Sequence, residues 1–251
     1  MPQSVMWKDL TAGELAAKAS AGALVVLPVA SMEQHGPHLP VGVDSILCEA
    51  VCRRAAEAVG EEVPVVVAPT LWCGLAEHHM AFGGTFTLDI PTYLALLGCL
   101  VRSVARQGFK RLLIVNGHGG NMAALKAFLP DLARASEAVI RITTYFELAR
   151  LAFAEILEDQ GGVHHACEAE TSMMMVAAPE SVRRESLPQA TGPAHASAPP
   201  PGVERYRAFS EITASGVIGD ARRSRPDKGE KLMVACRDAI AALLRDRQLW
   251  D

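Results

Sequence analysis

Ala23-Leu24-Val25-Val26-Leu27-Pro28-Val29 is an unbroken apolar run. It leads straight into Ser31-Met32-Glu33-Gln34-His35-Gly36-Pro37-His38 and then Asp44. The run reads as a buried strand, and the Gly36-Pro37 step after it as a loop. A carboxylate, an imidazole and a second carboxylate therefore leave one strand end within a dozen residues. Oxygen and nitrogen donors in that mixture suit hard and borderline divalent cations.

Outward from this stretch, strands and helices alternate. Thr11-Ala12-Gly13-Glu14 has the form of a capping box and opens a helix to about Ala19. Asp44 to Val59 carries apolar residues at helical spacing and is stopped by Gly60. Val63 to Ala68 reads as a second buried strand and Thr85 to Leu88 as a short one. Asp89-Ile90-Pro91 starts a helix to about Gln107. Leu112 to Val115 is a third buried strand, ending in Asn116-Gly117-His118-Gly119-Gly120-Asn121, and a helix follows to about Ala135. Ala138 to Thr143 is another strand. Glu147 to Leu157, Glu168 to Ala178 and Asp227 to Arg247 read as helices. Pro188 to Gly202, rich in Pro, Ala and Ser, reads as a loop or arm within a single domain. This alternation predicts a mostly parallel sheet with helices on both faces. Sites in such sheets form at the carboxyl ends of strands. The first motif and the glycine-rich turn around His118 are thus expected on one edge, although more than 80 positions separate them.

The bulk properties narrow the function. Half of the 251 residues are hydrophobic, enough for a sizeable core. A net charge of -4 without charge blocks gives no footprint for nucleic acid or an anionic membrane. No apolar run approaches a membrane span. Met1 to Leu10 lacks the apolar centre of a signal peptide. Six scattered cysteines fit a reduced, cytoplasmic compartment.

Glu33, His35 and Asp44 could be no more than a polar loop whose Glu caps a helix, but convergence with His118 on one edge favours a metal site. The turn around His118 could instead cradle a phosphate. It lacks the Lys and Ser or Thr of a phosphate loop, and its glycines would clear space around a ligand atom. In His165-Ala166-Cys167-Glu168-Ala169-Glu170-Thr171, the two glutamates are about 200° apart on a helix. Glu170 is expected to face the site and Glu168 solvent. Met173, Met174 and Met175 read as core filling. Of His78 and His79, one lines the pocket or both are structural; His195 is expected in solvent.

Three motifs in order, Ser31 to Pro40 with Asp44, Asn116 to Asn121, and His165 to Ser172, resemble the creatininase (creatinine amidohydrolase) family. The likeness spans about residues 25 to 230, with Gly216 to Asp220 and Lys228-Gly229. It implies a three-layer α/β/α fold, a homo-hexamer and a dinuclear metal site that hydrolyses C–N bonds of cyclic or linear amides. By the resemblance, Glu33, Asp44 and His118 hold one metal. His35, Asp44 and a further carboxylate hold the second, and Asp44 bridges. Creatininase has that carboxylate two residues after the histidine matching His118, where this chain has Gly120; the branch with Gly-His-Gly-Gly implies Glu170 instead. His165 matches the histidine that acts on the substrate or its leaving nitrogen. Creatininase also places tryptophans before that histidine. The tryptophans here are Trp7, Trp72 and Trp250, which argues against creatinine. Other branches deformylate a nucleotide or trim a peptide.

The expected activity is a metal-dependent amidohydrolase acting on a small amide. Two divalent ions (Zn, Mn or Fe), about 3.5–4 Å apart, would activate a bridging water for attack on the carbonyl. His165 would protonate the leaving nitrogen, with Glu170 or Glu168 orienting the proton. The alternatives are a non-catalytic metal- or small-ligand-binding protein of the same fold, a nucleotide binder at Gly119-Gly120, and a peptide-trimming metallopeptidase.

Overall fold

The computed structural model describes residues 4–60, 62–158, 160–196 and 199–251. The sheet is built from β1 (Leu24–Val29), β2 (Val65–Val67), β3 (Arg111–Asn116) and β4 (Val139–Thr144). They lie in the order β2-β1-β3-β4, and every pairing is parallel. Parallel neighbours need crossovers, and helices supply them. These are α2 (Val43–Val59), α3 (Ile90–Arg106) and α4 (Met122–Arg134).

Side chains alternate across the strands and divide the core in two. Leu24, Val26, Val65, Val67, Leu113 and Val115 pack against α2, α7 (Glu168–Ala177) and α8 (Pro226–Arg245). Val25, Leu27, Val29, Val66, Leu112 and Ile114 pack against α1 (Ala12–Ser20), α3 and α4. The result is the three-layer α/β/α arrangement. The consecutive methionines Met173 to Met175 fill the first of these cores. Pro28 is tolerated inside β1 because its carbonyl accepts from Leu71 N, which puts the prolyl nitrogen on the β2 side, beyond the paired residues of β2.

Local signals place most boundaries. Thr11 and Glu14 form the expected capping box. Asp89 caps α3 through Thr92 N. Gly60, at φ 54°, ends α2. Three elements differ from expectation. Thr85–Leu88 is no strand: Phe86 and Thr87 make only isolated bridges to Met32 and Gly74. The helix expected over 147–157 is two, α5 (Tyr145–Leu148) and α6 (Arg150–Ile156), with a break at Ala149. The last helix stops at Arg245, because Asp246 leaves the helical conformation to cap α9 (Arg247–Trp250).

In the register, Val29 pairs with Asn116, and Asn116 with Thr144. The segments leaving β1, β3 and β4 therefore emerge side by side on the carboxyl edge.

Candidate metal centre

Each part of the edge is fixed by its own local bonds. Beyond β1, Glu33 N donates to Val41 O, and Gly36 N donates to the Gln34 side-chain oxygen, which folds the loop back toward α2. Asp44 lies in the first turn of α2. Gly117 lets that turn approach the end of β3: a Cβ there would meet Cys48 Cβ at 2.8 Å. Asn116 then clamps the next residues, accepting from His118 N and donating to His118 O. Asn121 ties the turn to Leu75 N and Ala30 O. Ala166, a non-glycine residue at φ 51°, bends the chain ahead of α7 so that its N–H reaches Glu170 Oε2 at 2.6 Å.

These supports bring Glu33, His35, Asp44, His118 and Glu170 together, each between 1 and 6 % exposed. His118 Nδ1 is 3.1 Å from Glu33 Oε2 and 3.1 Å from Asp44 Oδ2. His35 Nε2 is 3.2 Å from Asp44 Oδ1 and 3.8 Å from Glu170 Oε1. Asp44 thus turns one oxygen to each imidazole. The outer nitrogens are engaged elsewhere: His35 Nδ1 at 3.1 Å from Glu33 O, and His118 Nε2 at 3.1 Å from Leu75 O. A carbonyl only accepts, so those nitrogens carry the protons. Loss of the inner proton to a bound cation would leave a lone pair on each ring aimed at the space the carboxylates share.

Three of the facing atoms, Glu33 Oε2, His35 Nε2 and Asp44 Oδ2, are buried without a hydrogen-bond partner. Buried charged groups left that way are costly. A positive charge among them removes the cost, and the donor set fits one or two divalent cations. Glu33, His35 and Asp44 converge closely enough to share one ion, as do His35, His165 and Glu170.

The same crowding shifts the titrations. Burial raises Glu33, with His118 only partly opposing it. Burial would lower His35 and His118. The carboxylates beside them, Asp44 and Glu170 for one and Glu33 and Asp44 for the other, outweigh it and hold both well above the histidine range. Burial would raise Asp44, but the two imidazoles hold it below the carboxylate range. His165 falls well below its ordinary value, through burial first and then the positive charge of His35.

Around this cluster is a second ring of groups. His165 Nε2 lies 2.7 Å from Gln34 O, and its Nδ1 is 3.6 Å from Glu33 Oε1. His79 Nε2 is 3.3 Å from the same oxygen, and its Nδ1 is 3.1 Å from Gln34 Nε2. Phe209 stacks on His79 at 4.1 Å and meets His165 edge-on at 4.7 Å, closing the imidazoles off from one side. A cavity of about 480 Å³ opens above, with Glu33, Asp44, His118 and Glu170 on its floor.

Several expectations need amendment. Glu168 does not face solvent. It is fully buried and paired with Lys228, whose ammonium also reaches Glu158 at 2.7 Å and Arg223 O at 2.9 Å. Both His78 and His79 line the cavity. His195 is exposed, but at the cavity mouth, because the segment before it is tied down by Gly192 N to Gly219 O and Gly219 N to Pro193 O. Residues 197–198 of the Pro/Ala-rich segment lie outside the described residues. Gln34 and Phe209 carried no signal as site residues, apart from the position of Gln34 between Glu33 and His35.

A buried carboxylate–imidazole cluster at the carboxyl edge of a parallel sheet is the arrangement of a metal-dependent hydrolase. The sequence model described as "Creatininase: Creatinine amidohydrolase" matches residues 8–244, and the chain belongs to the creatininase family, hydrolases of C–N bonds. Creatinine amidohydrolase from Pseudomonas putida is 29% identical, over 98% of this chain and 98% of that protein. Mycofactocin precursor peptide peptidase from Mycobacterium tuberculosis is 31% identical, over 85% of this chain and 81% of its own. A solved structure described as "Creatininase Mn" superposes with a TM-score of 0.82 and 27% identity, covering 98% and 99% of the two chains.

Proposed function

We propose that Glu33, Asp44 and His118 hold one divalent cation and that His35, Asp44 and Glu170 hold a second, with Asp44 shared. The observation that carries this reading is the set of orphaned, buried atoms on Glu33, His35 and Asp44 facing one another. Cations bound there supply Lewis-acid activation of water and of the amide carbonyl. The chain's own residues do the rest. His165, held through Nε2 by Gln34 O, keeps Nδ1 toward the floor, where it takes up a proton and delivers it to the leaving nitrogen. Glu170 is fixed by Ala166 N and faces His35. Phe209 limits water at the imidazoles. Glu168, bound to Lys228, serves the scaffold and not the proton path.

The substrate in this reading is a small cyclic or linear amide. The end of a peptide is the second reading. A cavity of about 480 Å³, within the range of drug-sized ligands, favours it, as does the likeness to a peptide peptidase. Zn, Mn and Fe all suit the donor set. Copies of the chain associate through the exposed Trp72 and Phe86, which pack edge-to-face at 5.5 Å on the surface. The cysteines form no disulfide, in keeping with a reduced cytoplasmic compartment.

His118→Ala and Asp44→Ala test the assignment after metal stripping and re-addition. Loss of a supporting group costs about 10–100-fold, so loss of a ligand should lower both metal content and amide hydrolysis by more than that. Wild-type activity in either variant overturns the assignment. Wild-type protein that takes up no metal points to a binding protein without catalysis.

A further inference from the structure

One carboxylate in the cavity takes no part in the cluster. Glu147 lies in α5, three residues beyond Thr144, as His118 lies two beyond its register partner Asn116. Its side chain lines the same cavity as the cluster and is exposed there. It makes no hydrogen bond or ion pair with any described residue. Lys126 and Glu147 both line an adjoining cleft, but the two form no ion pair. Among the described residues, no lysine or arginine lines the cavity itself. The rest of the wall above the floor is apolar, as at Met122, Phe146 and Val163, or imidazole, as at His164 and His195. Among the described residues that line the cavity, Glu147 is therefore the one acidic side chain outside the cluster, and no lysine or arginine opposes it there.

We propose that Glu147 is a specificity-determining residue that selects amides bearing an ammonium or guanidinium group a short distance from the scissile bond. The proposal rests on the amidohydrolase reading above. A cation in a partly enclosed cleft is drawn to an unpaired carboxylate, whereas a carboxylate-bearing amide meets repulsion there and finds no lysine or arginine to receive it. Discrimination of this kind combines attraction of one class with rejection of the other.

Three amides of matched chain length separate the possibilities: N-acetylputrescine, N-pentylacetamide and N-acetyl-5-aminovalerate, which carry an ammonium, a methyl and a carboxylate at the same distance from the amide nitrogen. For the metal-loaded enzyme, kcat/KM should fall in that order, by about tenfold per step. Glu147→Gln should bring the cationic-to-neutral ratio near one, and Glu147→Lys should invert the order. Binding is read separately by calorimetry, with the metal-loaded protein and the ketones in which a methylene replaces the amide nitrogen, so that nothing can be hydrolysed. If no amide is cleaved but the ketones still bind in the order cation, neutral, anion, the amidohydrolase reading falls and the charge selection stands. Equal affinities, or an order unchanged in Glu147→Gln, overturn the role of Glu147.

Discussion

At Gly120 an added methyl would lie against His118 Nε2 and 2.5 Å from the Leu75 carbonyl oxygen. That carbonyl fixes which nitrogen of His118 faces Glu33 and Asp44. Gly120→Ala should therefore weaken metal affinity about 10–100-fold while leaving the fold intact. Metal titration alongside circular dichroism checks this. The titrations give a second expectation, for protein held in chelator. His38 and His78 are lowered to about 4 and His79 to about 2, mainly by burial, and His165 lies lower than usual. The unfolded chain binds their protons first, so stability falls as pH drops below the ordinary histidine value of about 6.5. His35 and His118 are raised, so their contribution is complete below about 6.5 and is lost as pH climbs through their folded values. Thermal melts in chelator should peak near neutral pH and decline on both sides. Added divalent cation should abolish the alkaline decline. At this scale the sequence was most legible where short motifs kept donors together, as at Glu33, His35 and Asp44. It was least legible at Phe209 and Leu75, whose parts in the site arise only from chain folding over it.

Among the elements, the join between α7 and α8 depends on Glu168 and Lys228. Both are buried, and Glu168 also accepts from Glu158 N. Breaking a buried pair by removing one partner costs about 3–5 kcal/mol. Lys228→Ala should lower the melting temperature by about 6–20 °C in a chain of this size, with metal content preserved. A loss of metal without a thermal shift would give Lys228 a different part. The sequence placed Glu170 toward the site from helical rotation, but the same rotation could not tell solvent from an ion pair for Glu168. The alternating strands and helices were readable because each β-branched run is flanked by its own stop signals. Thr85–Leu88 misled for a physical reason: its residues suit a strand, yet only isolated bridges form there. The break at Ala149 had no sequence signal, since alanine is the best of helix formers.

For the molecule as a whole, the doubly covered sheet follows from a pattern carried along most of the chain, which is why the layers could be foreseen. The outer surface could not. Trp72, Met80, Phe86 and Ile90 are 46, 46, 59 and 58 % exposed, although large apolar side chains are usually covered. If copies of the chain meet there, Trp72→Asp with Phe86→Asp should shift the species seen by light scattering toward the monomer. A wild-type protein that is already monomeric at micromolar concentration would rule that surface out. No helix among the described residues is long and apolar enough to cross a membrane.

The bonds that hold the outer nitrogens of His35 and His118 to Glu33 O and Leu75 O are made by the protein to itself. The spacing of the donors is thereby dictated by backbone, with little left for an incoming ion to adjust. Among the divalent cations that such a donor set suits, availability then decides which one is bound. Cultures enriched in manganese and cultures enriched in zinc should then yield the same protein loaded with different metals, and nutrition would set its inorganic identity.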